Sequence, residues 1–134
     1  MRTYAVRQDM IPAAKVELFE GMRSQIADLP DLEPDDRVSC HVLTRVLASL
    51  NDGPAVVDGW FGGRGNEHSW LDMGDGLVAD VYPIGGATPF LVDASGWWNQ
   101  WNRLYVPHPA VMEGKDGIEE TVRLLLEHAT RRPR

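Results

Sequence analysis

Three glycine clusters, Gly62-Gly63-Arg64-Gly65, Gly74-Asp75-Gly76 and Gly85-Gly86, divide the chain between Ala55 and Val92, and no other feature restricts its folding as much. The intervals they leave are short and rich in β-branched and aromatic residues: Ala55 to Phe61, His68 to Met73, Leu77 to Tyr82, and Phe90 to Val92. Short runs of that composition, separated by residues that take positive φ without cost, predict a meander of antiparallel strands. Ahead of them, Val16, Phe19, Met22 and Ile26 recur at three- and four-residue intervals within Pro12 to Leu29. That spacing predicts an amphipathic helix, which Pro30 ends. The acidic stretch Asp31 to Asp36 reads as a surface connection. From Ser39 to Leu50 the set Val42, Leu43, Val46, Leu47 and Leu50 makes a wide apolar stripe, so this second helix is expected to be largely buried. Ser39 or Asp36 is available as its N-cap and Asn51-Asp52-Gly53 as its terminator. A last helix is expected from Ile118 to Ala129, with Val122, Leu125 and Leu126 facing inward. Helix, helix, strands, helix is an α+β order, and 134 residues suit one domain, 1–134, around one core.

Thirteen Lys and Arg against twenty Asp and Glu give a net charge of −7, which repels a phosphate backbone and makes nucleic acid an unsuited partner. The basic run Arg131-Arg132-Pro133-Arg134 reads as a solvated end. One cysteine allows no internal disulfide and fits a reducing compartment. Met1 to Met10 lacks the apolar core of a signal peptide, and no apolar run approaches the roughly 18 residues that would cross a bilayer. The expectation is a cytoplasmic protein without a membrane partner.

That one cysteine, Cys40, stands at the start of the second helix, where unpaired amides and the positive end of the dipole favour a thiolate. Lone cysteines are more often small buried apolar residues, so position alone does not make it a nucleophile. His68 opens the second strand, and Asp80 lies 12 residues beyond it on the third. Both are equidistant from residue 74, so a hairpin turning at Gly74-Asp75-Gly76 brings them near each other across the strands. An imidazole beside a carboxylate is a base held in one orientation. An aspartate amid Leu77, Val78, Ala79, Val81 and Tyr82 also needs a partner if it is buried.

Cys at a helix start, His-x-Trp on a strand and Gly-x-x-x-Asp on the next resemble the papain-like cysteine proteins in their transglutaminase-type, NlpC-like arrangement. That grouping includes transglutaminase-like peptidases, arylamine N-acetyltransferases and leader peptidases of lasso-peptide biosynthesis. Ser39-Cys40-His41, Val57 to Gly62, His68-Ser69-Trp70-Leu71 and Val78 to Tyr82 are similar to small bacterial proteins of this kind, over about Arg37 to Tyr105. The resemblance implies a papain-like fold in which a Cys-bearing helix packs on an antiparallel sheet. It also implies a thiolate–imidazolium pair, Cys40 with His68 oriented by Asp80, that forms an acyl-enzyme released to water or to an amine. The substrate would be a small molecule or peptide carrying an amide, ester or thioester, with no metal and no cofactor. The glutamine that polarises the carbonyl in papain itself has no assigned counterpart upstream of Cys40: Gln25 is 15 residues away on the first helix, and backbone amides at Cys40 would form the oxyanion hole instead.

Other readings of these residues remain open. His41, with Cys40, His68 and Asp80, makes a set of zinc ligands by type, although neighbours on a helix point about 100° apart. Gly62 to Gly65 is read as a turn, with Arg64 a candidate substrate contact. Trp98, Trp101 and Tyr105 keep helical spacing, as a core stripe or as a groove wall in which Trp98 and Trp101 meet substrate. Trp60 and Trp70 are assigned to the strand core, and His108 to a surface loop. The competing functional class is a non-catalytic partner-binding module of the same fold. A homodimer or a partner chain is a further expectation for so small a member of that superfamily.

Overall fold

The computed structural model describes residues 11–29, 39–82, 88–96 and 99–131. Met1 to Met10, Pro30, the acidic stretch Asp31 to Asp36, the Gly85-Gly86 turn, Trp97, Trp98 and the last three residues lie outside them. Helix α1, Ala13–Ala27, follows Pro12 and buries Phe19 and Met22. Helix α2, Cys40–Leu50, is capped by Ser39, whose Oγ accepts the Val42 N–H at 3.3 Å. Six of its residues are buried, from His41 through Thr44 and then Val46 and Leu47.

Strands β1 (Ala55–Phe61), β2 (Glu67–Gly74), β3 (Leu77–Asp80) and β4 (Phe90–Asp93) form an antiparallel meander. A fifth strand, β5 (Tyr105–Pro107), pairs antiparallel with the other side of β1, giving the order β4-β3-β2-β1-β5. Between β4 and β5 lies a short helix, α3 (Gln100–Leu104), capped by Asn99. After β5 come a 3-10 turn at Pro109–Met112 and helix α4, Ile118–Arg131.

The sheet separates two apolar layers. On one face Leu71, Met73, Leu77, Ala79 and Leu91 pack with Leu43 and Leu47 of α2 and with Phe19 and Met22 of α1. On the other, Trp70, Val78, Phe90, Val92 and Tyr105 gather, with Trp101 of α3 against them. Helix α4 reaches α2 rather than the sheet, through Leu125 on Val42 and Val46. Among the described residues no helix is long and apolar enough to cross a membrane.

The helical stripe expected through Tyr105 stops one residue earlier. Tyr105 begins β5, where pairing with Phe61 sets its backbone. Trp70 is in the core, 3% exposed, but Trp60 is only half-buried and stacks on His108 with ring centroids 4.2 Å apart.

Candidate functional site

The β2–β3 hairpin turns at Asp75 and Gly76, with φ of 56° and 80°. Two successive positive values match the twist of the flanking strands, which is why Asp-Gly is favoured there. The register sets Leu71 opposite Ala79, with an irregularity between Asp72 and Gly74. Continued, it places Asp80 across from Trp70, so His68 and Asp80 meet as diagonal neighbours on one face rather than as a direct pair.

They meet nonetheless. His68 Nε2 lies 2.9 Å from both Asp80 Oδ1 and Oδ2, and both residues are 0% exposed. An ionised carboxylate only accepts, so Nε2 carries the proton. Asp80 has a second donor that the sequence did not reveal: Tyr105 Oη donates to Oδ2 at 2.7 Å. Burial, with the Asp80 charge behind it, holds the Tyr105 phenol well above its usual range, so it stays a donor.

The remaining imidazole nitrogen, His68 Nδ1, is buried without a hydrogen-bond partner. Cys40, the first residue of α2, is half-buried and close enough to affect the ring. Burial disfavours a charged imidazole, but Asp80 and then Cys40 outweigh it and raise His68 from 6.5 to about 9. Phe61 and Trp70 flank the ring, at 5.9 and 6.1 Å between centroids. The arrangement is therefore an imidazole fixed on one side by a carboxylate, with Nδ1 unpartnered and the Cys40 sulfur close enough to favour the charged ring.

His41 does not join this group. Its Nδ1 lies 2.5 Å from Ser69 Oγ instead, and among the described residues no three His, Cys, Asp or Glu side chains are placed to hold a metal ion. Arg64 sits in the β1–β2 turn with its guanidinium carbon 5.4 Å from the centre of the Trp60 ring. Trp101 packs on Phe90 and on Tyr105, at 5.5 and 6.3 Å between centroids, one side chain removed from Asp80. Trp98 lies outside the described residues.

Compared with family models, with curated proteins and with solved structures, the chain returned no match.

Proposed function

We propose that this chain is a papain-like protein of the transglutaminase type that performs cysteine-dependent acyl chemistry on an amide, ester or thioester. The observation that carries the proposal is the buried His68–Asp80 pair, with Nε2 on the carboxylate and Nδ1 unpartnered, close to the sequence's one cysteine, Cys40. In the first step the Cys40 thiolate bonds to the substrate carbonyl carbon, and the bond to the leaving nitrogen, oxygen or sulfur breaks. The leaving group takes the imidazolium proton. In the second, water or an amine attacks the thioester, gives its proton to the now neutral His68, and frees the thiolate. Asp80 holds the ring throughout, and Tyr105 holds Asp80. Backbone N–H groups at the start of α2 are suited to receive the oxyanion. Trp101, Trp98 and Arg64 are the candidate contacts to the acyl group or peptide.

The experiment is the rate of Cys40 alkylation by iodoacetamide as a function of pH, in wild type and in His68→Ala. The expected result is fast alkylation well below the roughly 8.5 at which a free thiol titrates, lost in the variant. A rate that follows a free thiol in both proteins would overturn the proposal and leave a partner-binding module of the same fold.

A further inference from the structure

Cys40 and His41 are adjacent on α2, and His68 and Ser69 are adjacent on β2. Ser69 is 0% exposed and His41 9%. Ser69 Oγ donates to Asp58 Oδ1 at 2.5 Å, and Asp58 is the direct partner of Ser69 in the β1–β2 register. A hydroxyl has one proton, so once Asp58 takes it His41 Nδ1 must donate to the Ser69 oxygen. Asp58 Oδ2 then pairs with Arg45 Nη2 at 2.7 Å. Arg45 Nη1 closes the circuit by donating to the His41 carbonyl at 3.1 Å.

This closed ring runs from the first turn of α2 to β2, across to β1, and back to the second turn of α2. Burial alone would raise the Asp58 carboxyl, but the bonds from Arg45 and Ser69 hold it below its usual value. Burial and then the charge of Lys115 lower His41, with Arg45 and His68 adding to them and Asp58 opposing.

The geometry points to His41 as a positioning residue: through Ser69 and Asp58 it fixes the rotation and depth of the first turn of α2, and so seats Cys40 against His68. Successive helix residues project about 100° apart, so fixing the direction of His41 fixes that of Cys40. The Ser39 cap satisfies an amide of α2 but does not tie the helix to the sheet. The inference rests on the Cys40–His68 pairing proposed above.

Two readouts test it: the alkylation rate of Cys40 at pH 6.5 and the titration midpoint of the His68 ring by NMR, each with a thermal melt. The variants are His41→Ala, Ser69→Ala and His41→Asn. The asparagine amide N–H stands where Nδ1–H stood. In His41→Ala and Ser69→Ala the rate is expected to fall about 10- to 100-fold, the range for a misplacement of about 1 Å. The His68 midpoint is expected to move down from about 9 as Cys40 withdraws. His41→Asn is expected to return both readouts toward wild type. If His41→Ala does not fold, Ser69→Ala decides. Wild-type values of both readouts in Ser69→Ala would overturn the inference, as would His41→Asn behaving like His41→Ala at equal melting temperature. Failure of the acyl chemistry is distinguishable, because it shows as a free-thiol rate in wild type, while the His68 midpoint still reports on the seating.

Discussion

His68 keeps its proton against the pull of burial because Asp80 and Cys40 both favour the charged ring. The sign of the pH dependence follows. A folded value near 9, above the unfolded 6.5, means that the pair contributes its full stability below about pH 6.5 and loses it as pH rises through about 9. Counting His68 alone, the folded chain binds more protons than the unfolded chain across that window, so stability falls as pH rises; a Cys40 thiolate binds one proton fewer than the unfolded thiol below about 8.5 and offsets that fall. Thermal melts of Cys40→Ala, which lacks that offset, are expected to decline between pH 7 and 9, and those of Cys40→Ala combined with His68→Gln to decline less. Tyr105→Phe removes the second donor to a buried carboxylate, a charged hydrogen bond worth about 1.5–3 kcal/mol, and urea unfolding should show a loss of that size. Tyr105 carried no signal of this role in the sequence. Its spacing from Trp98 and Trp101 is helical, and only pairing with β1, a contact distant in sequence, turns its hydroxyl toward Asp80. His68 and Asp80 were legible because one tight turn fixes their relation.

The helix that presents Cys40 begins at a side-chain cap, and β1 is built around an absence. Ser39→Ala leaves the Val42 amide without its partner and is expected to cost about 1 kcal/mol. Gly59 is a different case, because a Cβ there would stand 2.0 Å from the Val106 carbonyl oxygen and 2.8 Å from the Trp70 ring. Gly59→Ala must push β5 off β1 and displace Tyr105, at a cost of about 1–3 kcal/mol. Its denaturation midpoint should fall further than that of Ser39→Ala. The boundaries of β1 and α2 could be read from composition and capping, since both signals are local. Strand β5 could not, since three residues carry no period and its pairing is with a strand more than forty residues earlier. The ring through His41, Ser69, Asp58 and Arg45 was hidden for the same reason: four residues on three elements, each unremarkable alone.

The two apolar layers share one sheet, so neither face has a core that stands without the other. Leu71, 0% exposed, and Phe90, 6% exposed, lie on opposite faces. Leu71→Ala and Phe90→Ala are each expected to cost about 2–5 kcal/mol. Tryptophan fluorescence and far-ultraviolet circular dichroism should then report one coincident transition in each variant. Separate transitions for the two faces would contradict a single cooperative unit. The α+β order was visible from the switch between helical period and glycine-punctuated strands, whereas the position of α4 against α2 was not, because an apolar stripe does not say what it faces. The hairpin that joins His68 to Asp80 closes a separation of 12 residues, while Cys40 stands 28 residues ahead of His68 on a helix that must dock onto a formed sheet. Short closures precede long ones when a chain refolds, hairpins within about 1–10 μs. The imidazole and its carboxylate are thus paired before Cys40 docks beside them, and in a nascent or half-folded copy the Cys40 sulfur stands apart from both.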